Sequence, residues 1–113
     1  MTYHEHTDHR YLRNLRAGAP DSVAAFLAFD QEALKGSAKV ISRKNTELIA
    51  VAVALTTQCA YCIEAHVTAA KAEGATEAEL AETVMITSAL RAGGGFAHGF
   101  MAMKLYEGAP DAT

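Results

Sequence analysis

Apolar positions recur along this chain at helical spacing, separated by short polar or glycine-bearing breaks. After Pro20, residues Val23, Phe26, Leu27 and Leu34 share one helical face, with Asp21 or Ser22 placed to cap the start and Gly36 to stop the end. Ser42 is placed to cap a second helix carrying the run Leu48-Ile49-Ala50-Val51-Ala52-Val53-Ala54-Leu55. That run alternates like a strand, but its apolar, Ala-rich pattern outlasts a typical strand and no hairpin partner is in view. It therefore predicts a helix apolar on all sides, and so buried all round. A third helix runs from near Cys59 to Ala72 and stops at Gly74. Thr76-Glu77-Ala78-Glu79 spells a capping box for a fourth, ending near Arg91. Gly93-Gly94-Gly95 predicts a break and close helix approach, and a last helix bearing Phe96, Phe100 and Met103 ends near Gly108.

The fold class predicted is all-α: a multi-helix bundle of about five helices, with residues 1–20 an N-terminal arm and 21–113 one helical domain. Length agrees, since 113 residues suit a single domain with a modest core. Half of them are hydrophobic, yet only 7% are aromatic, Trp is absent and Ala fills 24 positions. That composition favours closely packed helices and leaves apolar surface over, which predicts a homo-oligomer.

The net charge of -3 gives no basic footprint for nucleic acid or an anionic membrane. Leu48–Leu55 is too short to span a bilayer, and the polar start Met1-Thr2-Tyr3-His4-Glu5-His6 has no apolar signal core. A cytoplasmic protein is expected. Two cysteines in a reducing compartment point to catalysis or metal binding rather than a structural staple.

Cys59, Cys62 and His66, spaced by three and four, fall on one helical face. Cys59 stands at the predicted helix start, where unpaired N–H groups and the dipole favour a thiolate. His66 lies one turn below Cys62 and can take its proton. A thiolate attacks peroxides and disulfides, and a second thiol can close a disulfide behind it. The same residues with Glu47 have acceptable zinc-ligand types, but no second ligand pair accompanies them. Standing alone, Glu47 reads as an exposed acid near a helix start.

Read together, the residues spell Glu-x11-Cys-x2-Cys-x3-His over Glu47, Cys59, Cys62 and His66. This resembles the alkylhydroperoxidase D family within the broader carboxymuconolactone-decarboxylase-like superfamily, from about Ser42 to Tyr106. The resemblance implies that Cys62 is the peroxidatic thiol and Cys59 the resolving one, with His66 and Glu47 a proton relay. Helix electrostatics alone would put the thiolate at Cys59. The resemblance also implies an all-α fold, assembly from dimers to hexamers, and recycling by an external dithiol such as a lipoyl domain or a thioredoxin-like protein. No cofactor and no metal are implied; the substrate would be a hydroperoxide. Family members often carry a second His inside the dithiol motif, where this chain has Tyr61. The alternatives are a carboxymuconolactone decarboxylase-type enzyme, which generally does without the dithiol, and a redox-sensing oligomer that is no enzyme.

Of the remaining residues, His4, His6 and His9 read as a solvated arm and His98 as ordinary packing. Phe96, Phe100, Met101 and Met103 read as core or subunit interface. Gly93–Gly95 has none of the context of a phosphate loop.

Overall fold

The computed structural model describes residues 3–112. Among them there is helix and no strand. A single 3-10 turn, Asp8–Tyr11, leads into α1 (Leu12–Gly18), followed by α2 (Pro20–Lys35), α3 (Arg43–Thr57), α4 (Ala60–Ala72) and α5 (Glu77–Gly108). The all-α expectation holds.

Several ends are set as their residues dictate. The Ser42 hydroxyl accepts the Asn45 N–H at 3.1 Å to start α3. Thr76 and Glu79 complete the reciprocal capping box of α5. Gly74 ends α4 with φ +91°, a conformation that side chains other than glycine rarely adopt. Gly36 is needed for a different reason, because a Cβ there would lie 2.6 Å from the Glu32 carbonyl oxygen. The start of α2 is earlier than the capping signal suggested: Ala19, not Asp21 or Ser22, is the N-cap, and Pro20 occupies the first turn, where its missing N–H costs nothing.

Three expectations fail. Leu12–Gly18, placed within the expected N-terminal arm, is a helix of seven residues. Gly93–Gly95 do not break the chain, so the two predicted last helices form one helix of 32 residues. Each glycine costs only about 1 kcal/mol of helix propensity, which intact turns on both sides can outweigh. Nor do these glycines admit a neighbour, since a Cβ on any of the three would meet nothing within 4 Å. Finally, α3 is not buried all round. Thr46, Glu47, Val51 and Ala54 form its covered stripe, whereas Ile49 and Val53 remain half exposed.

The core lies where α3 meets α4 and the first half of α5. Lys44 of α3 binds Glu79 of α5 at 2.9 Å, and Arg91 of α5 donates to the Thr56 carbonyl at 2.7 Å. Lys44, and after it the Thr76 backbone N–H, hold the Glu79 carboxyl below its usual range. The second half of α5 projects from this core, with Phe96, Phe100, Met101, Met103, Leu105 and Tyr106 exposed. Among the described residues no helix is long and apolar enough to cross a membrane.

Candidate functional site

The site is built where α3 turns into α4. Gln58 closes α3 in the left-handed conformation, φ 56° and ψ 41°, rare for a residue with a Cβ. This reversal returns the Cys59 N–H to the Ala54 carbonyl at 3.1 Å and sets Cys59 as the N-cap of α4. The Cys59 sulfur accepts the Cys62 N–H at 3.2 Å, as a capping side chain does. Cys59 and Cys62 are joined as a disulfide, their Cα atoms 5.2 Å apart. The dithiol thus sits on the first turn of a helix, where dipole and free N–H groups favour negative charge on sulfur once the bond is reduced.

One turn below Cys62, His66 points its Nδ1 to Glu47 Oε2 at 2.5 Å. A carboxylate only accepts, so Nδ1 carries the hydrogen, and in the neutral imidazole Nε2 keeps its lone pair. The Glu47 side chain is 1% exposed, contrary to its reading as a surface acid. It is not left unpaired: its Oε1 lies 3.1 Å from Arg43 Nη2. Arg43 in turn donates to the Leu34 carbonyl at 2.8 Å and lies 3.8 Å from Glu73, so it ties α2 and the end of α4 to the buried acid. The structure therefore brings together all four residues singled out from the sequence and adds a fifth, Arg43. Its only sequence signal was the four-residue spacing to Glu47.

A cavity of about 360 Å³ opens beside this cluster. Aliphatic side chains of α2 and α3 make most of its wall, Leu34, Ile49 and Val53 among them. Cys62 and His66 contribute to the wall, and Cys59 does not. The two sulfurs thus have different surroundings.

The N-terminal segment crosses the same turn. The Tyr61 hydroxyl donates to Asp8 Oδ2 at 2.8 Å, and the Tyr61 ring meets His4 edge-on at 4.4 Å. His4 Nε2 is 3.0 Å from Glu64. His4 is therefore not part of a solvated arm. The Glu5 backbone N–H, then the Tyr61 hydroxyl, hold the Asp8 carboxyl below its ordinary range. The Asp8 contact raises the Tyr61 phenol above its own. His98 is exposed on the projecting half of α5, its Nδ1 on the carbonyl of Gly94 in the same helix.

Comparisons with known proteins agree on ancestry. A Paracoccus denitrificans protein described as "uncharacterized protein 4 in cox locus" is 39% identical over 92 residues, 81% of this chain and 80% of that one. A Haemophilus influenzae (strain ATCC 51907 / DSM 11121 / KW20 / Rd) protein described only as uncharacterized is 41% identical over 64 residues, 55% of each chain. The carboxymuconolactone decarboxylase family profile matches residues 20–105, which takes in the Glu47–dithiol–His66 cluster and most of α5. With that match over most of its length, the chain belongs to the carboxymuconolactone decarboxylase family.

Proposed function

We propose that this chain is a dithiol oxidoreductase of the alkylhydroperoxidase D type that reduces organic hydroperoxides. One observation carries the reading: a dithiol on a helix N-terminus stands one turn above an imidazole that a buried carboxylate orients, beside an aliphatic cavity. In the reduced protein His66 Nε2 takes the Cys62 proton. The Cys62 thiolate attacks the distal peroxide oxygen, the O–O bond breaks, and His66 returns the proton to the leaving alkoxide. The products are an alcohol and a Cys62 sulfenic acid. The Cys59 thiol then displaces water from that sulfenic acid and closes the disulfide. An external dithiol, such as a lipoyl group or a thioredoxin-like protein, exchanges with the disulfide and leaves oxidised. The cavity wall supports the division of labour, because it contains Cys62 and not Cys59. Tyr61 occupies the place of a second motif histidine and is held as a neutral phenol by Asp8, so the relay is assigned to His66 and Glu47 alone.

Peroxide consumption with a supplied dithiol tests the assignment. Cys62→Ser abolishes it, whereas Cys59→Ser still forms a trappable sulfenic acid but no disulfide. Full turnover by Cys62→Ser would remove the reading.

We propose further that the chain works in the cytoplasm as a homo-oligomer. Its accessible surface is 9044 Å², against about 6,000 Å² for a compact monomer of 12.0 kDa. Its radius of gyration is 19.5 Å, against roughly 13 Å. The surplus of about 3,000 Å² per chain, about 6,000 Å² over a pair, lies at the upper end of what obligate interfaces bury. Much of the exposed aromatic and methionine surface lies on the projecting half of α5.

A further inference from the structure

The cavity beside Cys62 has one cationic lining residue that neither the proton relay nor the fold employs. Lys39 lies in the connection between α2 and α3, half-buried, and contributes to a wall that is otherwise mostly aliphatic. Lys44 and Arg43, its neighbours in sequence, are both committed to carboxylates. Lys39 makes no ion pair among the described residues. An ammonium beside apolar surface gains most from an anion that enters with the ligand.

Position adds to charge. The cavity follows α3 from Thr46 to Thr57, about 16 Å of helix. Lys39 precedes the N-terminal end of α3. Cys62 belongs to α4, which follows directly on the C-terminal end of α3, and stands one turn from His66 towards that end. Chain order thus sets the cation and the sulfur towards opposite ends of α3, and Leu34, Ile41, Ile49 and Val53 also line the cavity.

We propose that this cavity takes an amphiphilic anion: a hydroperoxide whose carboxylate pairs with Lys39 while its aliphatic body lies along α3 and its peroxide reaches Cys62. The proposal rests on the hydroperoxide reading for the identity of the reacting group, but not for the binding site. Lys39 is a specificity-determining residue here, because it touches the far end of the substrate and takes no part in the redox step. That step remains the one given above: the O–O bond breaks, the carboxylate-bearing alcohol leaves, and the external dithiol supplies both electrons.

The test separates binding from turnover. Reduced protein is alkylated at Cys62 by iodoacetamide, a neutral reagent, with octanoate or octanol as competitor. Octanoate slows alkylation of the wild type. Lys39→Gln requires about tenfold more octanoate for the same protection, the equivalent of ~1.4 kcal/mol. The ratio of octanoate to octanol protection falls by that factor, and Lys39→Arg restores it. In turnover, the kcat/KM ratio of linoleic acid hydroperoxide to its methyl ester falls by a similar factor in Lys39→Gln. Octanoate that protects both proteins equally, or fails to protect the wild type, overturns the proposal. Protection that follows Lys39 in a protein unable to reduce any hydroperoxide would keep the anion site and remove the peroxidase reading. Hydroperoxide reduction that ignores the carboxylate would do the reverse.

Discussion

Arg43 is the residue whose removal most directly tests the architecture of the site. Glu47 is buried to 1% exposure, and its two oxygens face one permanent cation, Arg43, and one imidazole, His66. Breaking a buried ion pair by deleting one partner costs about 3–5 kcal/mol. Two features reduce that figure here. The Arg43 side chain keeps 34% of its surface in solvent, and His66 stays on the other carboxylate oxygen after Arg43 is gone. We therefore expect Arg43→Met to destabilise by about 2–3 kcal/mol. Glu47→Gln keeps the shape and removes the charge, and should cost roughly 1–2 kcal/mol, the range of a buried hydrogen bond imperfectly replaced. In the double variant no charge is stranded in the interior. Its loss should be close to that of Arg43→Met alone, a coupling of about 1.5 kcal/mol between the two sites.

The assay is urea unfolding of the oxidised proteins followed by far-UV circular dichroism, at one fixed protein concentration because assembly would contribute to the measured stability. A kinetic reading accompanies it. The Arg43 guanidinium offsets negative charge on Glu47. Removing it makes the site more negative by one charge near the dithiol, whatever proton His66 carries. A thiolate is then less favoured, so alkylation of reduced Cys62 in Arg43→Met should need higher pH than in the wild type. Losses that add to within about 0.5 kcal/mol, with an unmoved alkylation profile, would refute the claim that Arg43 compensates Glu47.

Asp8→Asn should bring the Tyr61 phenol down towards its ordinary value near 10.0, read from phenolate absorbance in a difference spectrum. The contact draws on Asp8 only above 3.8 and is lost as pH falls through its lowered value. It draws on Tyr61 only below 10.0 and is lost as pH rises through its raised value, so the Asp8–Tyr61 contact persists across neutral pH. Gln58→Val should destabilise by about 1–2 kcal/mol, because a β-branched side chain is worst suited to a left-handed backbone, whereas Gln58→Gly should cost nothing. Equal losses in chemical unfolding would deny that strain. A charge placed at Phe100, as in Phe100→Glu, should dissociate the proposed oligomer in light scattering while leaving the helical signal intact. An unchanged mass would place the interface elsewhere.

The chemistry-bearing residues were legible because regular helices carry them. Cys59, Cys62 and His66 need only a constant 3.6-residue period to share a face, and α4 supplies it. The capping box of α5 and the Ser42 cap are likewise local in sequence, and both stand as read. What depended on distant partners was not legible. Nothing local marks Glu47 as buried, because its burial follows from α4 packing on α3 and from Arg43 covering its second oxygen. Nothing in a polar N-terminus announces that His4 will meet Tyr61 some 57 positions away. Gln58 was invisible for a simpler reason, since a left-handed turn usually advertises itself with glycine.

The overestimates share a direction. The pattern read α3 as covered on every side and Gly93–Gly95 as a place of close helix approach, and of its reading of Phe96 and Phe100 as core or subunit interface the single chain excludes only the core. In the single chain Ile49 and Val53 are half exposed, Phe96 and Phe100 are 75% and 67% exposed, and the glycines face open space. Aliphatic and aromatic side chains on those faces gain about 25 cal/mol for each Å² removed from water, and a lone chain leaves that gain unrealised. Assembly through the projecting half of α5 would supply the missing cover, and would also explain why three glycines survive inside a helix at a cost of about 1 kcal/mol each. On this argument the apolar pattern describes burial in the proposed assembly. The part that one chain satisfies alone is the α3–α4 junction, and this is also the part that holds the dithiol.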